Sequence, residues 1–129
     1  MPVKNSTNNK IIQNNAKFCN SVFSRFKGLM FSRKQNIALI FKFSRESKIA
    51  LHQCFVFYSI DVLFLDKNRI VVDIKENFKP FTFYTSKKKA VYAIELPEGA
   101  INHSKTKIGD RIKFWTTITT GHPHLRYIN

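Results

Sequence analysis

The sequence predicts a mainly β fold: a small antiparallel, β-barrel-like domain with one short α-helix. Three observations point to it. Residues 51–74, LHQCFVFYSIDVLFLDKNRIVVDI, form the densest run of β-branched and aromatic side chains, and a turn signal divides its second half. Short runs elsewhere alternate apolar and polar residues with a period of two. Helical spacing is sustained over one short segment. Closing the sheet would remove the exposed edges that such an apolar set of strands otherwise presents.

Residues 1–9 are rich in Asn, Ser and Thr and read as a flexible tail ahead of a single domain over 10–116; 117–129 read as a second tail. Residues 10–18 suit an edge strand, with Ile11, Ile12, Ala16 and Phe18 as its apolar members. Residues 20–28 read as the helix. Asn20 or Ser21 caps it, Val22, Phe23 and Phe26 share a face, and Gly28 supplies the left-handed residue that ends it.

Residues 36–43 alternate Ile37, Leu39, Phe41 and Phe43 as a strand, and residues 44–48 turn the chain. From 51 to 58 both faces are apolar, the mark of a strand in the middle of a sheet or barrel wall. Ser59-Ile60 bends it, and Val62 to Leu65 is again apolar on both faces. Asp66 and Asn68 then favour a turn by bonding nearby backbone, and Ile70, Val72 and Ile74 return antiparallel. Residues 75–80 read as a loop, 81–84 as an extended segment and 90–96 as a strand. Pro97-Glu98-Gly99 breaks that strand, residues 100–104 suit a helical turn, and Gly109-Asp110 turns into a last strand over 111–116.

Composition narrows the function. There are 129 residues, enough for one domain with its own core. Lys and Arg number 22 against 8 Asp and Glu, a net charge of +14 that suits an anionic partner such as nucleic acid and also keeps a protein soluble. Two cysteines, Cys19 and Cys54, make no disulfide framework, and no run is apolar enough for a signal peptide or a membrane span. The expected compartment is cytoplasmic. With 4 glycines there is no glycine-rich phosphate loop, and nothing calls for a cofactor.

Several motifs stand in an order that resembles a family known as domain of unknown function 192, or uncharacterised protein family 0127. They are Arg25-Phe26-Lys27-Gly28-Leu29-Met30, Ile60-Asp61-Val62-Leu63-Phe64-Leu65-Asp66, Val71-Val72, Lys79-Pro80, Tyr84 with Ser86, Glu95-Leu96-Pro97-Glu98-Gly99, and Gly109-Asp110. Together they span roughly residues 17–115. Ser59 stands where the family often has Pro, Gln53-Cys54 where it often has Met with Trp or Lys-Asn, and Asn68 where Gly is common. The resemblance implies a compact, mostly antiparallel β domain with one short helix. It implies no established activity, cofactor or partner.

Four residues make a candidate small-ligand site: His52, Asp61, Tyr84 and Ser86. Asp61 lies between Ile60 and Val62, and a carboxylate there is costly to bury unless it is paired or hydrogen-bonded. It reads either as a ligand contact or general base, or as a structural carboxylate holding backbone amides at a bend. His52 and Cys54 share a strand face, but neither Cys19 nor His103 sits at a recognised metal spacing; His122-Pro123-His124 could in principle join them, yet no CxxC or HExxH signature is present and no metal is expected. Ser86 to Lys89 matches the Ser-x-x-Lys nucleophile pattern without its two companion motifs, and equally describes a polar loop. Lys75, Lys79, Lys87, Lys88 and Lys89, with Phe78, Phe81 and Tyr84 among them, form a candidate nucleic-acid surface of cations and stacking rings; the competing reading places the rings in the core. The leading expectation is a non-catalytic binding or accessory module with no assignable ligand. Nonspecific nucleic-acid binding and an enzyme using Asp61 are the alternatives.

Overall fold

The computed structural model describes residues 2–19, 36–53 and 58–114, and the backbone of 116–119 and 125–128. In chain order its strands are β1 (Val3–Asn5), β2 (Lys10–Gln13), β3 (Ala16–Cys19), β4 (Ala38–Ser47), β5 (Ala50–His52), β6 (Ile60–Leu65), β7 (Val71–Phe78), β8 (Phe83–Thr85) and β9 (Ala90–Pro97). A short helix, α1 (Ala100–Ser104), precedes β10 (Ile112–Lys113), β11 (Thr116–Thr119) and β12 (Leu125–Ile128). The fold is mainly β. The helix expected over 20–28 lies outside the described residues.

The principal sheet has the order β3-β4-β9-β6-β7, antiparallel except for β3 beside β4. Strand β6 is buried along its whole length, as apolar side chains on both of its faces require. Leu63 and Leu65 face a core with Ile40, Ile94, Leu96, Ile101, Ile112 and Phe114. Val62 and Phe64 face a second core with Ile49, Leu51 and Phe78. The predicted turn at Asp66 is in place: Asp66 Oδ1 accepts the amides of Asn68 (2.8 Å) and Ile70 (3.0 Å). Strand β7 then returns along β6 with two shifts of register, between Ile60 and Val62 and between Phe64 and Leu65.

The described sheets do not close into a barrel; β3 and β7 stay as separate edges. A three-stranded sheet, β10-β1-β2, contributes Val3, Ile12 and Ile112 to the first core and covers it instead. The run at 51–58 is also placed differently. Its described beginning, β5, pairs with β8 in a separate two-stranded ribbon, and the middle of the principal sheet is β9 between β4 and β6. Strand β4 runs on through most of the expected turn at 44–48 after an irregular register, and β7 takes in most of the expected loop at 75–80.

The first residues are not a free tail. Asn5 is fully buried and its amide uses all of its hydrogen-bonding capacity. Nδ2 donates to Asp110 Oδ2 (2.8 Å) and Thr106 Oγ1 (3.1 Å), while Oδ1 accepts the amides of Thr7 (3.0 Å) and Asn8 (3.2 Å). Hydropathy marks such a residue as loop; only its tertiary partners make it core.

Candidate functional site

The β5–β8 ribbon lies over the second core, and strand alternation decides what each side chain does. Tyr84 points inward and packs against Phe64 and Phe78, with ring centroids 5.8 and 6.4 Å away. Phe83 points outward, opposite His52 in the register, and the two rings lie 6.4 Å apart. Phe83 is 76% exposed. Phe81, in the turn before β8, is 57% exposed and has a left-handed φ of 62°, which is strained for a bulky side chain. Its amide donates to Gln53 O (2.8 Å), and Gln53 N donates to Thr82 O (2.9 Å), so the turn is tied to the chain leaving β5.

Asp73, which the sequence did not single out, organises the base of this ribbon. It is buried, and its Oδ2 accepts both the Tyr84 hydroxyl (2.7 Å) and the Lys87 amide (2.8 Å). Oδ1 accepts the amide of Ile74 (2.8 Å). Lys75 Nζ sits 5.3 Å from the centre of the Tyr84 ring, within cation–π range. Ser86 is buried. Its Oγ accepts the Ile49 amide (2.9 Å) and donates to Lys88 O (2.8 Å), which fixes the Lys87–Lys88 turn at the end of the ribbon.

Burial, and then the Asp73 hydrogen bond and charge, push the Tyr84 phenol up from 10.0 to about 12. A folded-state pKa above the unfolded value stabilises the fold fully below pH 10 and loses that contribution as pH rises through 12. The urea midpoint of the parent is therefore expected to fall across that alkaline window more than that of Tyr84→Phe. Parallel curves for the two proteins would refute the coupling.

The four residues named for a small-ligand site do not converge. His52, Tyr84 and Ser86 belong to the ribbon and its flank. Asp61 follows Ile60 and precedes Val62, both of which face the second core, so its side chain leaves the sheet on the opposite side. There its Oδ2 accepts the amides of Gly99 (3.0 Å) and Ile101 (3.2 Å) at the start of α1. Its Oδ1 accepts the amide of Asn77 (3.0 Å), where the β7 bulge interrupts the ladder. Both oxygens of this 2%-exposed carboxylate therefore hold backbone.

The basic residues fare differently. Lys79, Lys87, Lys88 and Lys89 are exposed on either side of β8, and Lys75, on β7, is half-buried. Of the rings named with them, Phe78 is core and Tyr84 is half-buried, while Phe81 remains at the surface. Phe83 was missed: adjacent to Tyr84, it was distinguishable only once the register showed which of the two faces out. No helix of the described residues is long and apolar enough to cross a membrane.

The DUF192 family model, described as an uncharacterised ACR, matches residues 3–114. The chain belongs to the DUF192 family. Relatives carry the matching UPF0127 family name. One from Thermococcus sibiricus is 40% identical over 110 residues, covering 84% of this chain and 71% of that protein. One from Pyrococcus furiosus is 38% identical over 112 residues, covering 85% and 95%. The DUF192 fold is also seen in a protein from Sinorhizobium meliloti described as a candidate transcription regulator, with a TM-score of 0.75 at 19% identity over 87% of this chain and 89% of that one. A protein of unknown function from Novosphingobium aromaticivorans aligns with a TM-score of 0.74 at 18% identity over 88% and 84%. At such identities the likeness concerns the DUF192 fold.

Proposed function

We propose that this DUF192 protein is a non-catalytic binding module, and that the outer face of the β5–β8 ribbon holds single-stranded nucleic acid without sequence preference. The observation that carries this reading is the pair of exposed rings, Phe81 and Phe83, on the same short segment as the exposed Lys79 and Lys87 to Lys89. Stacking platforms beside cations suit a single strand, because every base has a π face and every linkage a charge. The strained backbone at Phe81 supports the reading, since such a conformation persists only where its surroundings enforce it. The use of Asp61 as a general base has less support, because its oxygens already accept three backbone amides.

The test is titration of the purified protein into fluorescently labelled single-stranded RNA and into duplex DNA at several salt concentrations. Micromolar binding to the single strand, weakening steeply with salt and weaker for duplex, is the expected result. No binding at low salt would remove the proposal.

A further inference from the structure

We propose a second site: a cationic cleft at the β6–β7 turn that binds the phosphate group of a small phosphorylated molecule. The cleft has a volume of about 300 Å³ and is lined by Lys67, Asn68 and Arg69 of the turn, Arg111 and Lys113 from the β10 segment, and Ser6 after β1. That volume is at the lower end of what small-molecule sites offer. Four of these lining residues are cations and none is a carboxylate.

Three backbone segments build the cleft, and they are locked together. The Ser6 amide donates to Arg111 O (2.9 Å), Ser6 Oγ donates to the same oxygen (3.1 Å), and the Ile112 amide donates to Arg69 O (2.9 Å). Ile70 and Arg111 form an antiparallel bridge. Arg69 is itself pre-positioned: it has a left-handed φ of 64°, its Nη1 donates to Phe114 O (2.9 Å), and its guanidinium lies 4.2 Å from the Phe114 ring centre and 5.7 Å from that of Tyr92. A guanidinium held in this way is a fixed positive charge in the wall of the cleft, and the exposed Lys67 and Arg111 are the side chains that reach the anion.

The acids next to the cleft in sequence are engaged in the backbone that shapes it. Asp66 uses Oδ1 on the amides of Asn68 and Ile70, within its own turn. Asp110 is buried, and its Oδ2 accepts from Asn5 Nδ2 and from the Lys107 amide (3.0 Å). The fold thus gathers like charges around one cavity and turns the neighbouring carboxylates to structural use. A multivalent anion relieves that repulsion, and a concave site focuses the potential that attracts it. A phosphate dianion matches the forked donors of arginine and the point charges of lysine. The cleft is on the side of the sheet where Tyr92 and Phe114 pack, whereas the β5–β8 ribbon covers the other core. The two proposals therefore stand on different observations and can fail separately.

The experiment is a ¹H–¹⁵N correlation titration with sodium phosphate, run beside sodium chloride at matched ionic strength. Saturable shifts of the Ser6, Asn68, Arg111 and Lys113 amides with phosphate alone are expected. The Lys67→Gln/Arg111→Gln variant changes two exposed side chains and is expected to keep the remaining spectrum while weakening phosphate at least tenfold. Shifts that chloride reproduces would overturn the proposal, as would saturable binding undiminished in the variant.

Discussion

Replacing Asp61 with alanine is expected to lower the stability of the fold by about 3–5 kcal/mol, because three backbone amides lose their acceptor at once. The Ile101 amide is in a buried bond, so its full desolvation cost applies; the amides of Gly99 and Asn77 are partly buried, and water recovers some of theirs. A typical domain has only about 5–15 kcal/mol in hand, so the urea midpoint should move far at an unchanged slope. Asp61→Asn keeps one oxygen but turns an NH₂ group toward the amides on the other side, and is expected to fall between parent and alanine variant. A loss below about 0.5 kcal/mol, the range of surface changes, would show that the carboxylate does not hold the β7 bulge to the start of α1.

The second large effect separates stacking from charge on the ribbon. The Phe81→Ala/Phe83→Ala variant is expected to weaken single-stranded RNA at least tenfold, since stacking contributes about 1–3 kcal/mol per base, while leaving the salt dependence unchanged. The Lys87→Ala/Lys88→Ala/Lys89→Ala variant is expected to weaken binding through the other component, reducing the slope of log K against log salt by about 2. Both sets of side chains are exposed, so thermal unfolding should hardly change in either protein. Unchanged affinity in both variants would move any binding away from this face.

Much of the architecture was legible because side-chain alternation and turn chemistry are local. The Asp66 turn, the burial of Val62 to Leu65, the strand opening at Ala90 and the helical turn at residues 100–104 all follow from neighbours in sequence. What escaped was decided at a distance. Asn5 is polar by composition and core by its contacts with Thr106 and Asp110. The apolar beginning of the 51–58 run joins a two-stranded ribbon, because β9 takes the central place beside β6. Asp61 was recognisable as a carboxylate with an unusual burden, and one of its two readings was backbone support. Its separation from Tyr84 required knowing that the ribbon carrying Tyr84 packs on the second core, on the side of the sheet opposite to the one Asp61 faces. Asp73 gave no signal at all, since an acidic residue on an alternating strand reads as solvated until the Tyr84 hydroxyl is seen to reach it.

The pairing of β1 with β10 has a consequence for biosynthesis. Lys4 finds Lys113 and Asn5 finds Ile112, so β1 is completed by a strand made more than 100 residues later. At about 5–20 residues per second, β1 waits roughly 5–20 s on the ribosome for its partner. Until β10 clears the exit tunnel, Asn5 and Val3 have no native environment, and β1 offers a bare edge to other chains. Contacts so distant along the chain also place the domain among the slower folders, in the millisecond-to-second range. Sealing of the first core, to which Val3 and Ile112 both contribute, thus waits for β10 however early β1 is made.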